Sequence, residues 1–381
     1  MRASAINNNM IRIGITGQAG FIGTHLYNYL GLKKEEVVRI PFQDDFFSDK
    51  AKLEVFVKQC DAIVHLAALN RHNDPQTIYD TNIGLVRKLV EALETTGSKP
   101  HLLFSSSTQE ERDNIFGKSK RDGREILSQW AEKNGALFTG LVIPNVYGPF
   151  GNPYYNSVVA TFSHQLTHNE EPKIEIDAQL RLIYVADLVR VIYNAICNKL
   201  FEKEFRVQHT KEIKVTEILE RLQSFKSLWF EQGIFPDLHD SFERNLFNTF
   251  VCYTDHASYF PFKLKQSRDE RGSFVETVKL KSGGQVSFST TKPGITRGNH
   301  FHTHKAERFA VIRGKAQIQL RKIGTGLVLN FDLDGKDPSY VDMPVWYTHN
   351  ITNVGDEDLY TIFWISEIFD PSDPDTYFEK V

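Results

Sequence analysis

An apolar run, Ile11–Thr16, leads directly into Gly17-Gln18-Ala19-Gly20-Phe21-Ile22-Gly23 and then into a helix-forming stretch. Three glycines at that spacing, set between a strand and a helix, admit few folds. They permit a tight turn and a close approach of ligand to backbone, while the free N–H groups and dipole of the helix start favour a bound pyrophosphate. A glycine triplet elsewhere would carry little weight; its place after an N-terminal strand gives it force. The following residues keep the pattern. Val37–Pro41, Ala62–Ala67, Leu102–Ser105 and Leu141–Ile143 read as further strands, with Gly84–Glu94 and Gly117–Trp130 as helices between them. Such alternation predicts an α/β domain with a doubly wound parallel sheet.

One more amphipathic helix is expected over Val215–Leu228, followed by an aromatic-rich, poorly periodic stretch to about Phe262. After Lys263 the texture changes. Gly284–Thr290, Arg308–Val311, Ala316–Leu320 and Tyr360–Trp364 are short and β-rich, separated by Gly, Pro and Asp turns. Many short strands within ~120 residues predict an all-β sandwich or barrel. At 381 residues the chain exceeds one ordinary core. The expected organisation is an α/β domain over 10–245, a linker over 246–262 and a β domain over 263–381.

Hydrophobic and charged fractions of 41% and 24% are those of a soluble globular protein. A net charge of −3 with interspersed signs supplies neither a basic surface for nucleic acid nor a polybasic membrane anchor. No apolar run approaches the ~18 residues of a membrane span. Met1–Asn9 is polar, unlike a secretory signal, and reads as a disordered extension. Cys60, Cys197 and Cys252 are odd in number and far apart, so neither a disulfide framework nor a thiolate metal site is expected. A reducing, cytoplasmic setting fits.

The N-terminal spacing Gly-x-x-Gly-x-x-Gly resembles that of the extended short-chain dehydrogenases, a Rossmann-type family that includes nucleotide-sugar epimerases and reductases. Further matches follow in order over about residues 10–245. Asp61 and His65-Leu66-Ala67-Ala68 resemble the segment beside the adenosine, and Asn82 the helix asparagine. Phe104-Ser105-Ser106-Ser107 resembles the strand bearing the catalytic serine, here Ser107. Pro144-Asn145-Val146-Tyr147-Gly148-Pro149 resembles the loop between cofactor and sugar nucleotide, and Tyr184-Val185-Ala186-Asp187 a downstream motif. The resemblance implies a cofactor held by Gly17, Gly20, Phe21, Ile22 and Gly23 on one side. Asp61, Leu66, Ala67, Lys120 and Asn145 would complete its site. It also implies a sugar nucleotide reached by Asn145 and by Arg181. Asp44 or Asp45 would favour NAD by meeting the ribose 2′-hydroxyl, whereas Arg39 would favour NADP by meeting a 2′-phosphate.

One departure stands out. The family's catalytic pair is Tyr-x-x-x-Lys, neighbours on one helix face, whose tyrosine passes a proton to or from the sugar oxygen. Here the segment reads Phe116-Gly117-Lys118-Ser119-Lys120. Lys120 is kept, but Phe116 has no hydroxyl, and losing a positioned acid costs ~10²–10⁴ in rate. A domain that binds cofactor with slow turnover, an engineered Tyr→Phe change and a substitute acid such as Ser107 all fit the sequence.

In the C-terminal part, the spacing from Gly294 through His300-x-His302 and Glu307 to Gly314 resembles a cupin motif; the two imidazoles fall on one face of a strand, and the resemblance implies that Glu307 and the distant His349 complete three histidines and a carboxylate. Such a set suits Zn, Fe, Mn or Ni; zinc is the expected ion. His304 continues the alternation as a weaker candidate. Pro344, His349 and Asn353 match the second cupin motif, with Trp346 where glycine is usual. The cupin resemblance implies a jelly roll. Asp269–Glu276 and Arg297-Gly298-Asn299-His300 also resemble the metal-free dTDP-4-keto-6-deoxyhexose epimerases of that superfamily. That likeness implies sugar-nucleotide contacts at Arg271 and Arg297 and makes His300 the base. A metal ligand's lone pair is occupied, so His300 cannot hold both roles.

Over nearly the whole chain, stretches such as Tyr154–Phe162, Lys292–Thr296, Tyr347–Ile351 and Asp375–Phe378 resemble the dehydrogenase–cupin fusion enzymes of capsular-polysaccharide and O-antigen synthesis, the CapF type. This implies a homodimer acting on a UDP-linked 4-keto-6-deoxy amino sugar. The cupin would epimerise C3 and the dehydrogenase domain would reduce C4 with NADPH, on the way to UDP-N-acetyl-L-fucosamine.

Overall fold

The computed structural model describes residues 10–270 and 272–381. Met1–Asn9, read as an extension, and Arg271, read as a sugar-nucleotide contact, lie outside the described residues. The chain forms two compact units.

The first unit takes in residues 10–147, 155–157 and 179–213. Its centre is a six-stranded parallel sheet of β1 (Ile11–Thr16), β2 (Val37–Ile40), β3 (Ala62–His65), β4 (His101–Ser107), β5 (Phe138–Ile143) and an edge strand, Glu202–Arg206. The order is β2-β1-β3-β4-β5-edge. All four residues of β3 and all six of β5 are buried, because both sheet faces are covered and parallel strands then read as continuous apolar runs. Phe56, Leu89, Leu127 and Trp130 pack one face, from α2 (Lys50–Gln59), α3 (Pro75–Thr96) and α4 (Ile115–Asn134). Leu26 and Leu30 of α1 (Phe21–Gly31), with Leu188 and Ile192 of the helix Val185–Cys197, pack the other. This is the doubly wound Rossmann-type architecture the sequence predicts. The strand order reverses direction at β1 and β3, and ligands of such sheets bind beyond the carboxyl ends of the strands at that point.

The second unit takes in residues 148–154, 158–178 and 214–381. Its β part holds two five-stranded antiparallel sheets, consistent with a cupin. One is built of Phe262–Lys263, Ser339–Met343, Glu307–Arg313, Leu359–Ile365 and Gln285–Thr291; the other of Val328–Asp334, Lys315–Lys322, Tyr347–Asn353, Thr296–Phe301 and Tyr377–Phe378.

The stretch expected as a linker, 246–262, carries most of the helix Ser241–Val251 and the turn His256–Tyr259, with Leu246, Phe247 and Phe250 buried. Its aromatic richness reflects packing. Phe247 meets Phe225, Trp229 and Phe235 at ring separations of 5.4–5.8 Å, and Phe235 meets Trp364 of the β part at 4.3 Å. Arg308 and Asp342, both buried, form a two-pronged ion pair at 2.6 and 2.8 Å. Trp229 Nε1 donates to the same carboxylate, and Arg308 Nη1 donates to the Gly233 carbonyl. A buried ion pair survives only when its remaining donors and acceptors are met, and here the helical segment meets them.

Candidate cofactor site and metal centre

Thr16 and His65 end neighbouring strands in register, so the turns that follow emerge at one sheet edge. The Thr16 hydroxyl lies 2.7 Å from His65 Nδ1, and the Leu66 N–H donates to the Thr16 carbonyl at 3.1 Å. Gly17 has φ +70°, and a Cβ there would lie 2.7 Å from the Ala67 nitrogen. A Cβ at Gly23 would lie 2.3 Å from the Gly17 carbonyl oxygen. Only glycine fits either place. Gly20 caps α1 without a side-chain hydrogen bond, and the first turn holds no acidic residue, leaving the helix-start N–H groups open to a phosphate. The buried Gln18 Oε1 has no hydrogen-bond partner. The turn Gly17–Gly23, with Phe21 and Ile22 opening α1 and Leu66 and Ala67 opposite, thus fits a dinucleotide.

Ser107 ends β4 opposite Ile143 of β5, and Asn145 follows two residues later, exposed, at the same sheet edge. Ser107 Oγ also accepts the Gln109 N–H at 3.2 Å, capping a short turn. Asn114 caps α4 and so sets its first turn, with Phe116 half-buried and Lys120 buried four residues on. Lys120 Nζ donates to the Ser105 carbonyl at 2.9 Å and lies 5.7 Å from the centre of the Phe116 ring. Burial pushes its ammonium down to about 8, partly offset by Glu110. Glu110 is no substitute for the missing phenol: it accepts from the Ser106 hydroxyl and from Arg124 Nε and Nη2. Asn82 holds the loop after β3, accepting from the Leu69 N–H and donating to the Leu69 carbonyl and to Ser119.

Of the expected contacts, Asp61 is placed otherwise and two arginines already have partners. Asp61 precedes β3, at the amino ends of the strands, where Arg12 donates to it through N, Nε and Nη2 at 2.7–3.0 Å. Four strand residues at about 3.3 Å each separate it from the cofactor edge, so its role is to tie β1 to β3. Arg39 lies 4.0 Å over the Tyr27 ring and donates to the Tyr27 carbonyl, an engagement with α1 that a 2′-phosphate would have to compete with. Arg181 is exposed and paired with Glu212 at 2.8 Å.

In the β part of the second unit, His300 and His349 face each other in adjacent strands, and Glu307 opens the strand Glu307–Arg313. The Nε2 atoms of His349 and His300 lie 3.2 Å apart, and Glu307 Oε2 lies 3.1 Å from His302 Nε2 and 3.3 Å from His349 Nε2. One donor atom from each of the four residues falls within 4.8 Å of all the others. His302, Glu307 and His349 are buried. His302 Nδ1 bonds the Asp375 carbonyl at 2.5 Å and His349 Nδ1 the Tyr347 carbonyl at 3.3 Å. A carbonyl only accepts, so both rings carry hydrogen on Nδ1 and direct Nε2 into the cluster. Burial, then His349 and His302, push His300 down to about 4. Burial pulls Glu307 up, but His302 and His349 outweigh it and hold the carboxyl well below its usual range. Buried His302 Nε2 and Glu307 Oε2 lack hydrogen-bond partners, as a divalent-ion site requires. Trp346, at the motif's glycine position, has φ +62°; stacking on Phe301 at 5.5 Å and an N–H bond to the His302 carbonyl hold it there. Arg297 is exposed and donates to the Thr290 carbonyl at 3.2 Å.

Residues 13–206, just over half of the chain, match the NAD dependent epimerase/dehydratase family. The chain belongs to that family. It is an NAD(P)-dependent enzyme. Residues 267–377 match the polysaccharide biosynthesis C-terminal domain. The chain is 34% identical over 373 residues to UDP-2-acetamido-2,6-beta-L-arabino-hexul-4-ose reductase of Pseudomonas aeruginosa, covering 96% of this chain and 98% of that protein. It is also similar to the crystal structure of the capsular polysaccharide assembling protein CapF of Staphylococcus aureus. That match has 34% identity and a TM-score of 0.62, covering 97% of this chain and all of the other. The epimerase/dehydratase part shares its fold with UDP-glucose 4-epimerase of Thermotoga maritima, at 23% identity and TM-score 0.51 over 57% of this chain and 83% of that one.

Sequence reasoning passed over Asp375, Arg308, Asp342 and Glu110. Asp375 meets His302 across 73 residues, Arg308 meets Asp342 across 34, and Glu110 meets Arg124 across 14, separations at which no periodicity signals a pairing.

Proposed function

We propose that this family member acts on a UDP-linked 4-keto-6-deoxy-N-acetylhexosamine, epimerising C3 in its cupin and reducing C4 in its dehydrogenase domain, toward UDP-N-acetyl-L-fucosamine. The carrying observation is the 34% identity over 96% of the chain to a hexul-4-ose reductase, with a glycine cradle and a four-residue cluster both in place. The 4-keto group acidifies the neighbouring C–H, so epimerisation comes first and reduction then fixes the configuration. Bound NADPH, or NADH, supplies hydride to C4. Gly17, Gly20 and Gly23 receive its pyrophosphate, with Leu66 and Ala67 opposite, and Lys120 its ribose. Ser107 holds the sugar oxygen that gains a proton in this reading. His300, His302, Glu307 and His349 would hold a divalent ion, zinc in this reading, which polarises the keto oxygen or serves the fold. A residue outside that set then removes the C3 proton. Arg297, Asn145 and Arg181 are the proposed sugar-nucleotide contacts.

A second reading is favoured by Phe116: the cupin epimerises while the dehydrogenase domain binds cofactor but reduces slowly. Incubating the whole protein with the UDP-4-hexulose in D₂O, with and without NADPH, separates the two. Deuterium at C3 without NADPH is expected in both readings; prompt oxidation of NADPH belongs to the first alone. No deuterium at C3 removes epimerisation from either.

A homodimer is proposed on the outer strand Gln285–Thr291, which pairs on one side with Leu359–Ile365 and exposes Val286 and Phe288. Sedimentation of the full chain reads this directly. A cytoplasmic setting accords with three free cysteines. No helix among the described residues is long and apolar enough to cross a membrane.

A further inference from the structure

Asp375 lies 73 residues beyond His302 in the chain and is almost fully buried. Its carbonyl accepts from His302 Nδ1. Its carboxylate accepts the Thr303 N–H at 2.9 Å, the Thr303 hydroxyl at 2.7 Å, the His304 N–H at 3.0 Å and the Lys305 N–H at 3.1 Å. Those three consecutive amides form the loop between His302 and Glu307. Lys305 Nζ closes the contact by donating to the Pro374 carbonyl at 2.8 Å and the Thr376 hydroxyl at 3.2 Å. The next residues reach the third histidine: in the strand Tyr377–Phe378, Phe378 pairs with His300 and Tyr377 with Phe301. Asp375 has φ +37°, a conformation aspartate tolerates better than most residues.

We propose that Asp375 is the positioning residue of the metal centre. Its carbonyl fixes His302 as the Nδ1–H tautomer, and its carboxylate fixes the loop that joins His302 to Glu307. The inference rests on the metal reading of that cluster. A ligating imidazole is aimed by whatever its other nitrogen bonds, and such outer partners govern affinity. Without the carboxylate, three loop N–H groups lose their acceptor, and the turn holding the Asp375 carbonyl against His302 loses its anchor.

His304, Glu367 and Asp375 also bring donor atoms within 4.8 Å, an arrangement that invites a second ion. Asp375 Oδ2 already accepts N–H groups from Thr303, His304 and Lys305 at 3.0–3.1 Å, so it has no lone pair left for a cation. His304 Nδ1 pairs with Glu367 at 3.0 Å and its Nε2 lies 3.6 Å from Asp375, bracing the carboxylate from the other side.

The test uses the full chain stripped of metal, with ¹⁵N-labelled histidine, and zinc as the probe. His302 is expected as the Nδ1–H tautomer before any zinc is added; an Nε2–H ring overturns the proposal, with no variant needed. Zinc competition against a chromophoric chelator is expected to give one ion per chain. Asp375→Asn keeps the tolerance for positive φ but turns an amide N–H₂ toward loop donors; affinity is expected to fall about 10–100-fold, with His302 in mixed tautomers. A folded Asp375→Asn protein with wild-type zinc affinity overturns the positioning role alone. Two zinc ions in the wild type and one in the variant overturn it in favour of a second ion site. No zinc in the wild type overturns the metal reading and the proposal together.

Discussion

Phe116 stands four residues before Lys120 on the face of α4 that meets the end of β4, with its ring 5.7 Å from the ammonium. At neutral pH, below the value of about 8 to which burial brings Lys120, that ammonium is charged and able to favour a phenolate beside it. A phenylalanine gains nothing from it. Phe116→Tyr is therefore expected to raise single-turnover oxidation of NADPH by the 4-keto sugar at least tenfold, which corresponds to about 1.4 kcal/mol of barrier. Stopped-flow absorbance of the reduced cofactor measures it. Fast reduction by the unmodified protein, unchanged in Phe116→Tyr, would mean that another group donates the proton, with Ser107 first in line. This residue-scale question was legible in the sequence because a Tyr-x-x-x-Lys pair is local. The error at Asp61 arose at the same scale. A strand only four residues long separates the two edges of the sheet, and residue order alone does not say which edge a flanking carboxylate serves.

Among the elements, those with a local signal, the short β-rich segments after Lys263 included, were read near their observed bounds, whereas the start of α3 and the unperiodic stretch before Phe262 were not. β1, its glycine turn and α1 follow from apolar run, glycine spacing and helix start. α3 begins nine residues earlier than the expected Gly84, because Asp74 caps it and Pro75 takes the first helical position, a pairing that in isolation resembles a turn. The stretch 246–262 misled for a different reason: its aromatic residues follow no single period since they fill gaps between a helical layer and a sheet. That packing has a consequence. A chain cut to begin at Phe262 loses Trp229, Phe235 and the Gly233 carbonyl, leaving the Arg308–Asp342 pair and Trp364 without their cover. Losing the Trp229 donor and the Gly233 acceptor costs about 1–3 kcal/mol for each group left unsatisfied, a large share of the stability of a small domain. The cut protein is expected to aggregate or to melt without cooperativity, whereas in the full chain, which keeps that helical cover, the β part melts cooperatively. Thermal denaturation followed by near-ultraviolet circular dichroism distinguishes them; a sharp transition in the shorter chain would show that the β part stands alone.

Across the whole molecule, pH acts through imidazoles that the fold keeps neutral. Burial lowers His65 to about 3, and His101 and His256 to about 4. Each is free to take up a proton near 6.5 once the chain unfolds. Between pH 6.5 and 4 the unfolded chain therefore binds more protons than the folded one, and stability falls as pH falls. It is fully present above 6.5 and is drained progressively toward 4. His256 isolates the effect, since both its ring nitrogens are buried without hydrogen-bond partners and its ring stacks on Phe260 and meets Tyr347 edge-on. Its share of the loss between pH 7 and pH 5 is about 2 kcal/mol. His256→Phe, which keeps an aromatic ring there and cannot titrate, is expected to shrink that loss by about the same amount. Denaturant midpoints of metal-stripped protein at the two pH values give the comparison. An identical loss in the variant would mean that His256 is charged or partnered in the folded chain, and that burial is not what makes this unit sensitive to acid.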